Sequence, residues 1–332
     1  MHVLFIGGTG LISTAIARQL LEAGHEVTLF NRGQSQNRLP DGVQEIRGDR
    51  KKYDEFERSF DGMRFDVACD MVAFSPDDSA SAVRALNGKV GHFLHCSTVC
   101  VYSGPVQTIP TPETEPLHSI GSYGQNKIKC EEVLMDALQN QNFPVTIMRP
   151  SHSYGEGGDI IRAFGPTNGY IERMRAGKPI IVPDGGESVW AACHVDDVAR
   201  GFIGVMQEPG KSIGQAYNIA GDEAMTWRTF HEQVAEVAGG TFQPVFVSRE
   251  LLTQMAPDWS GSMKEILAFT SFFDNSKIKR DTSYTGQTIS WRKGVARNLK
   301  WLEESGKTML KPEDDAREDE LIARVQSLMA SV

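Results

Sequence analysis

A glycine-rich turn near the start of the chain constrains the fold more than any other feature of the sequence. Gly7-Gly8-Thr9-Gly10 follows a short apolar run and precedes a helical pattern that begins at Leu11. A tight turn in this position lets backbone N–H groups approach a pyrophosphate, and the positive end of the helix dipole favours the anion. The sequence therefore predicts a dinucleotide-binding turn. Its predicted contacts are Gly7, Thr9, Gly10, Leu11 and Ile12.

Short apolar runs alternate with helical patterns through the first half of the chain. Strands that alternate with helices of this length favour a parallel sheet with helices on both faces. In the first helix Ile12, Ile16 and Leu20 recur on one face, which is typical of a helix that packs on such a sheet. The predicted fold class is α/β, with a doubly wound parallel sheet of the Rossmann type. The predicted strands are His2–Ile6, Glu26–Phe30, Gln44–Arg47, Asp66–Val72, His92–His95 and Val145–Arg149.

The second half of the chain has a looser pattern, in which glycine- and proline-rich loops separate the helices. We predict a dinucleotide-binding domain over residues 1–150 and a smaller α/β domain, mainly substrate-binding, over 151–332. Because Tyr217-Asn218-Ile219 has the pattern of a late strand, we expect segments near 195–220 to return to the first domain. Helices are predicted at about Val195–Met206, Trp227–Ala238 and Ser290–Glu304.

The last predicted helix combines an apolar face with an acidic start. Leu321, Ile322, Val325 and Leu328 share one face, and acidic residues are concentrated in 313–320. We expect a helix that docks through its apolar face and begins in a solvated acidic turn.

Composition limits the partners and the compartment. The chain of 332 residues has a formal net charge of -9, which opposes nucleic-acid binding, because that affinity comes largely from Lys and Arg at phosphates. No secretory signal or membrane-spanning apolar stretch is visible. The five cysteines form no C-x-x-C pair and are odd in number, which favours reduced thiols in the cytoplasm. We expect a small-molecule substrate, no membrane or nucleic-acid partner and no metal.

The glycine-rich turn resembles the G-x-x-G-x-x-G motif of extended short-chain dehydrogenases/reductases of the NAD-dependent epimerase/dehydratase type. Gly7 and Gly10 match the motif, and Ser13 replaces its third glycine. That glycine allows close contact between helix and strand, so Ser13 predicts a slightly shifted helix without loss of binding. The departure is similar to an atypical subgroup of the family, which includes sugar epimerases, reductases and chloroplast RNA-binding proteins. The resemblance also allows a homodimer.

The end of the second predicted strand bears on the choice of cofactor. NAD-selective members of the family carry an acidic residue where this chain has Asn31, and the adjacent Arg32 could pair with the 2′-phosphate of NADP. The resemblance therefore implies NAD or NADP and leaves both open. Gly48-Asp49-Arg50 resembles the adenine-contacting turn, with Asp49 as an acceptor. The other cofactor contacts that the resemblance implies are Met71, Tyr123, Lys127, Pro150 and Ser151.

A second motif, Tyr123 with Lys127, supplies the predicted catalytic pair. The two residues stand at i, i+4 on one helical face, and Ser122 with Gln125 fits a capping box at the helix start. A nearby ammonium favours the phenolate, so Lys127 is expected to make Tyr123 a better base.

The third catalytic residue comes from another strand end. The segment 96–102 resembles the family motif in which a hydroxyl bonds the substrate oxygen, and Thr98 is the matching residue, with Ser97 as the alternative. Sugar 4,6-dehydratases of the family carry Asp–Glu directly after this threonine, because elimination needs an extra acid and base. Here Val99 and Cys100 take those places, so dehydration is disfavoured. Reversible hydride transfer remains, with Thr98 and Cys100 as predicted substrate contacts.

Two later segments complete the resemblance. Residues 149–155 are similar to the R-P-x-x-x-Y-G segment that passes the nicotinamide, which makes His152 either a substrate ligand or a structural histidine. Residues 194–199 are similar to an H-V-D-D-x-A helix start, interpreted as capping and interdomain structure.

The substrate prediction depends on arginines that this chain lacks. Many sugar-nucleotide epimerases clamp the substrate pyrophosphate with an Arg four residues before the H-V-D-D histidine, where this chain has Trp190. A second family Arg is also missing, since Lys264 is the only cation between Ser262 and Phe273. An indole cannot neutralise a diphosphate but can stack on a sugar ring, so Trp190 is predicted to contact a free sugar, a glycoside or another alcohol or ketone.

These observations predict an NAD(P)-dependent epimerase or oxidoreductase that acts by reversible hydride transfer on a sugar-like alcohol or ketone, with tyrosine as general acid/base. A sugar-nucleotide 4-epimerase is the alternative within the same class. A non-catalytic or RNA-binding protein on the same fold is the alternative from another class.

Overall fold

The computed structural model describes residues 1–34, 42–307 and 309–330. The chain divides into two compact units, each built from three segments. Unit one contains Met1–Ser153, Val195–Ala220 and Phe273–Gln287, and unit two contains Tyr154–His194, Gly221–Phe272 and Thr288–Val332. The sequence did not predict that the segment Phe273–Gln287 belongs to unit one.

A seven-stranded sheet forms the centre of unit one, and every pairing in it is parallel. Its strands are β1 (His2–Ile6), β2 (Glu26–Asn31), β3 (Gln44–Arg47), β4 (Phe65–Asp70), β5 (Val90–Cys96), β6 (Val145–Pro150) and β11 (Ala216–Ile219). Their spatial order is β11-β6-β5-β4-β1-β2-β3. Strands β2 and β3 follow β1 on one side, whereas β5, β6 and β11 follow β4 on the other side. This reversal of strand order opens a crevice at the carboxyl ends of β1 and β4. The predicted Rossmann-type fold class is confirmed, including the late strand.

Helices cover both faces of this sheet. The helices of unit one are α1 (Leu11–Glu22), α2 (Tyr53–Arg58), α3 (Pro76–Leu86), α4 (Ser122–Gln141), α6 (Val195–Met206), α7 (Pro209–Ser212) and α10 (Ser276–Asp281). On one side α1 packs against α6, and on the other α3 packs against α2 and α4. The core under α2 to α4 includes Phe30, Phe56 and Phe60, whose rings contact one another. Burial of such large side chains is the main stabilising term of a domain of this kind.

Two local predictions in unit one were wrong. Strand β4 ends at Asp70 rather than Val72, because the Asp70 carboxylate accepts the Val72 N–H at 3.1 Å and turns the chain. The expected capping box at α4 is absent, since Gly121 is the N-cap and Ser122 already lies inside the helix. Gln125 donates instead to the carbonyl of Ser119 at 3.2 Å.

Unit two is a smaller α/β assembly. Its helices are α5 (Gly169–Arg175), α8 (Trp227–Ala238), α9 (Arg249–Met255), α11 (Trp291–Glu304) and α12 (Pro312–Ala330). The short strands outside the central sheet are β7 (Ser153–Tyr154), β8 (Ile180–Pro183), β9 (Val189–Trp190), β10 (Cys193–His194), β12 (Met225–Thr226) and β13 (Pro244–Val247). Strand β8 pairs in parallel with β13, and β9 pairs antiparallel with β12. Among the described residues no helix combines the length and apolar composition needed to cross a membrane.

The acidic start of α12 was predicted to be solvated, and this is wrong for Glu318. The Glu318 carboxylate is buried and accepts two bonds from Arg162, at 2.5 and 2.7 Å, and the Ile181 N–H at 2.9 Å. The fully buried Arg173 bonds Asp315 and Asp319 on the same helix. The apolar face behaves as predicted at Leu321, Ile322 and Val325, which are buried, whereas Leu328 is exposed. Helix α12 is therefore held by ion pairs as well as by apolar burial.

Replacement of Glu318 should destabilise unit two strongly. Burial opposes ionisation of Glu318, but Arg162 outweighs it and holds the pKa of that carboxyl below its ordinary value. Glu318→Gln leaves Arg162 buried without its counter-charge, at a cost of about 3–5 kcal/mol in the free energy of unfolding. Urea unfolding measures this cost, with the exposed Glu320→Gln as control. Because the pKa of Glu318 is lower in the folded state, the loss of stability in Glu318→Gln should be present near neutral pH and should shrink as pH falls through that pKa. Equal stabilities of Glu318→Gln and the native protein at pH 7 would contradict the prediction.

Candidate active site

A cavity of about 700 Å³ lies in unit one at the carboxyl ends of the central strands. Residues that follow β1, β2, β4, β5 and β6 all contribute to its wall. The predicted cofactor contacts that line it are Gly7, Thr9, Gly10, Leu11, Ile12, Asn31, Arg32, Asp49, Met71, Tyr123, Pro150 and Ser151. The predicted catalytic Thr98 and the alternative Ser97 also line it. The structure therefore brings together residues from seven separate parts of the sequence.

The glycine-rich turn fits a dinucleotide for a steric reason. Gly7 has a φ of +81°, and a Cβ at this position would lie 2.4 Å from Cγ1 of Val72. Only glycine satisfies both constraints, because L side chains rarely adopt this backbone conformation and the space for a side chain is filled. The turn leads directly into α1, whose N-terminus is at the cavity wall. Backbone N–H groups and the helix dipole then favour a phosphate at this point.

Ser13, which replaces the third glycine of the family motif, holds the turn together. Its buried hydroxyl accepts the Gly10 N–H at 2.9 Å and lies 3.2 Å from the carbonyl oxygens of Gly7 and Gly10. The residue thus supplies hydrogen bonds that glycine would lack. The shift of the helix expected from this replacement stays a prediction.

The end of β2 has Asn31 at the position predicted to select the cofactor, and the cation Arg32 follows it. Asn31 uses its side-chain oxygen to accept the Gly33 N–H at 2.6 Å, so it shapes the turn. Arg32 is exposed and lines the cavity. On the next turn Asp49 accepts the Lys51 N–H at 2.9 Å through one oxygen. The adenine contact predicted for Asp49 stays a prediction.

The predicted catalytic residues lie together beside the cavity. Tyr123 is 45% exposed, and Thr98, at the end of β5, accepts the Cys100 N–H at 3.1 Å. This bond uses the acceptor side of the Thr98 hydroxyl and leaves its proton to donate to an oxygen in the cavity. Lys127 is buried below them and donates to the carbonyls of Ala73 at 2.8 Å and Cys96 at 2.6 Å. An ammonium has three donors, and two are used here. Lys127 does not line the cavity, and the ribose contact predicted for it stays a prediction.

The acidity of Tyr123 differs from the expectation. Burial raises the pKa of its phenol above the ordinary value, the Cys96 and Cys100 thiols add to the shift, and the Thr98 hydroxyl opposes it. Solvent weakens the shift because the residue is only partly buried. The lowering expected from Lys127 is not found, since its Nζ lies 5.9 Å from the centre of the Tyr123 ring and is bonded to backbone carbonyls. The phenol therefore keeps its proton near neutral pH.

The geometry distinguishes Thr98 from Ser97. The Ser97 hydroxyl is buried and donates to the Glu131 carboxylate at 2.5 Å. The Ser97 proton is therefore used in the hydrogen bond to buried Glu131, whereas the Thr98 hydroxyl interacts with the Tyr123 phenol. This arrangement favours Thr98 for the catalytic role, which stays a prediction.

Three predicted substrate residues do not line this cavity. Cys100 lies in the turn after Thr98 and is partly buried, and His152 is half-buried near the end of β6. In unit two Trp190 is 3% exposed, and its indole stacks on Trp227 with ring centres 5.2 Å apart. The structure thus gives Trp190 a packing partner that the sequence did not reveal. The substrate contacts proposed for the three residues stay predictions.

Sequence reasoning missed several residues of the cavity wall. Phe74 is 48% exposed, and its ring centre lies 6.4 Å from that of Tyr123. Lys51 directly follows Gly48-Asp49-Arg50, the turn predicted to contact adenine, and that continuity could have signalled it. Phe74 follows the end of β4 without any motif, so only the structure reveals it.

Comparison with known proteins identifies the family. Residues 3–87 and 79–220 match the family model described as NAD dependent epimerase/dehydratase family. This chain belongs to that family. Membership confirms the family predicted from the motifs and the dependence on a nicotinamide dinucleotide, for which the glycine turn and the N-terminus of α1 provide a fitting cradle.

Individual relatives differ in their described activities. The chain is 27% identical over 274 residues, covering 82% of this chain and 76% of the relative, to a 2'-dehydrokanamycin reductase of Streptomyces kanamyceticus. It is 29% identical over 259 residues to the chloroplast stem-loop binding protein of 41 kDa b of Arabidopsis thaliana, covering 74% of this chain and 65% of that protein. Among solved structures, a UDP-glucose 4-epimerase of Thermotoga maritima matches with a TM-score of 0.75 and 22% identity, covering 92% of this chain and 100% of that one. That likeness shows the fold.

Replacement of Gly7 should abolish cofactor binding. Gly7→Ala adds a methyl group 2.4 Å from Val72 and must displace the turn that approaches the pyrophosphate. Gly24→Ala is the matched control, since Gly24 also has a positive φ, +78°, but nothing lies within 4 Å of the added carbon. Both variants should lose about 1–2 kcal/mol of stability from backbone strain, and only Gly7→Ala should lose NADPH binding in a fluorescence titration. Equal NADPH binding by the two variants would show that the turn does not hold the dinucleotide.

Proposed function

We propose that this protein is an NAD(P)-dependent oxidoreductase or epimerase that transfers a hydride reversibly to and from a sugar-like alcohol or ketone. The observation that carries the proposal is the position of Tyr123 and Thr98 at the wall of the dinucleotide cavity, with Lys127 buried beneath them. The three groups supply an acid/base hydroxyl, a second donor for the substrate oxygen and a cation, which is what carbonyl reduction by hydride transfer requires.

Each residue has one task in the proposed reaction. When bound, the nicotinamide accepts or supplies the hydride. During reduction Tyr123 gives its phenolic proton to the substrate carbonyl oxygen, and during oxidation it takes the proton back. Thr98 donates a hydrogen bond to the same oxygen and stabilises its developing charge. Lys127 fixes the backbone at Ala73 and Cys96 and offers its remaining donor to the ribose.

The proposed substrate is a sugar-like ketone or alcohol rather than a nucleotide sugar. Trp190 stands where sugar-nucleotide epimerases place an arginine, and an indole leaves a diphosphate without a counter-charge. The relative named 2'-dehydrokanamycin reductase supports a sugar-like carbonyl substrate. The alternative, a sugar-nucleotide 4-epimerase, draws support from relatives described as UDP-glucose 4-epimerases.

An RNA-binding role is the candidate from another class. It rests on the similarity to the chloroplast stem-loop binding protein, of which this chain spans less than two thirds. The net charge of -9 opposes it, because phosphate neutralisation needs clustered cations. Retention on heparin at low salt would favour RNA binding.

We also propose a cytoplasmic location and leave a homodimer as an option that the family allows. None of the five cysteines, all of which lie in the described chain, forms a disulfide, which is consistent with a reducing compartment.

Tyr123→Phe should abolish turnover while cofactor still binds. The variant removes only the hydroxyl that exchanges the proton, so a loss of roughly 10²–10⁴-fold in kcat is expected. The assay follows NADPH oxidation with 2'-dehydrokanamycin and with simple sugar ketones, beside calorimetric titration with UDP and dTDP. Near-normal activity in the variant would contradict the catalytic assignment. Micromolar binding of UDP or dTDP that weakens with salt would restore the sugar-nucleotide alternative.

Arg32→Ala should weaken NADP more than NAD. If Arg32 faces the 2′-phosphate, loss of a charge-assisted contact costs about 1.5–3 kcal/mol of NADP affinity and leaves NAD affinity unchanged. Arg47→Ala is the matched control, because Arg47 pairs with Asn31 across the sheet but bonds Glu45 at 2.8 Å and does not line the cavity. Unchanged affinities for both cofactors in Arg32→Ala would show that Arg32 points elsewhere.

A further inference from the structure

Helix α4 carries a third charged residue on its catalytic face. Tyr123, Lys127 and Glu131 follow one another at intervals of four residues, so they share one side of the helix. Glu131 is 3% exposed, and a carboxylate in such a place is costly unless it is fully paired. The proposed reaction gives it no role.

Both oxygens of Glu131 have partners from neighbouring strand ends. Oε1 accepts hydrogen bonds from the Ser97 hydroxyl at 2.5 Å and from Nε of Arg149 at 3.1 Å. Oε2 accepts a hydrogen bond from Nη2 of Arg149 at 2.5 Å. The pairing with Arg149 is bidentate, which fixes direction as well as distance. Nη1 of Arg149 donates to the hydroxyl of Tyr102. That hydroxyl in turn donates to the side-chain oxygen of Asn218 on β11 at 3.2 Å.

These bonds surround the catalytic threonine. Ser97 directly precedes Thr98, and Tyr102 ends the short 3-10 helix Val99–Tyr102, for which Thr98 is the N-cap. Arg149 directly precedes Pro150 and Ser151, which line the cavity. The Glu131 carboxylate therefore bonds Ser97, which precedes Thr98, and Arg149 at the end of β6. Through Arg149 it is linked to Tyr102, which follows Thr98.

We propose that Glu131 is a positioning residue, which sets the place of Thr98 against Tyr123 by clamping Ser97 and Arg149 to the catalytic helix. The inference rests on the proposed roles of Thr98 and Tyr123. It assigns Glu131 no contact with substrate or cofactor. Because misplacement of a reacting group by about 1 Å costs on the order of 10²-fold in rate, loss of the clamp should lower kcat by that amount.

A purely stabilising ion pair would have different consequences. Removal of Glu131 alone leaves Arg149 buried without a counter-charge, and removal of both charges often restores stability. If the pair only stabilises the fold, a double variant that regains stability should also regain activity. If Glu131 positions Thr98, the double variant should regain stability and remain slow.

The test compares Glu131→Gln, the double variant Glu131→Gln/Arg149→Met and the control Glu132→Gln. Glu132 carries the same charge one residue later but is exposed. The measurements are the unfolding midpoint, NADPH binding as a check of the folded site, kcat with the ketone that the native protein reduces, and hydrogen exchange of peptides covering 97–102 and 149–153.

We expect faster exchange in both peptides and a kcat lower by on the order of 10²-fold in Glu131→Gln and in the double variant, with the unfolding midpoint recovered in the latter. The control should match the native protein. Recovery of kcat together with stability in the double variant would overturn the proposal, as would native exchange at 97–102 in both variants. If the native protein reduces none of the ketones, the proposed function fails while the exchange data still decide whether Glu131 holds this segment.

Discussion

The proposed catalytic and cofactor-binding residues of unit one meet because the strands of its central sheet are parallel. Parallel strands bring all their carboxyl ends to one edge, so the residues that follow them meet there however far apart they lie in sequence. The reversal of strand order between β1 and β4 opens a crevice at this edge, and the glycine turn lies at that point. This point requires glycine, because Gly7 has a φ of +81° and Val72 fills the space where a side chain would be. The cavity is thus a consequence of topology, and its chemistry comes from the loops.

Buried ion pairs fix the positions of strand ends and of the last helix, which the order of the strands does not determine. In unit one Arg50 pairs with Asp70 at 2.7 Å at the end of β4, and Glu131 pairs with Arg149 at 2.5 Å at the end of β6. In unit two Arg162 and Glu318 fix the last helix. Replacement of such a pair by apolar residues is often neutral for stability, so the pairs are better explained by the positions that they fix. The same reasoning supports the proposal that Glu131 positions Thr98.

Tyr123, the proposed catalytic acid/base, illustrates how the environment changes the chemistry that a motif predicts. The spacing of Tyr123 and Lys127 indicates an ammonium beside a phenol, which would favour the phenolate. In the folded chain Lys127 is turned toward the backbone carbonyls of Ala73 and Cys96, and burial raises the pKa of the phenol. The chain by itself therefore keeps the Tyr123 phenol protonated near neutral pH. The positive charge of an oxidised nicotinamide would favour the phenolate.

The sequence alone determined the sheet, the glycine turn and many of the residues at the cavity, because periodicity and short motifs are local properties. It located α6, α8 and α11 to within a residue and predicted the return of β11. Tertiary structure decided whatever depends on partners distant in sequence. Strand β4 ends at Asp70 because its carboxylate bonds the backbone of Val72, and Glu318 is buried because it pairs with Arg162. Trp190 stacks on Trp227, and the Ser97 hydroxyl donates to Glu131. No local pattern encodes these contacts, since each joins segments that only the folded chain brings within a few ångströms.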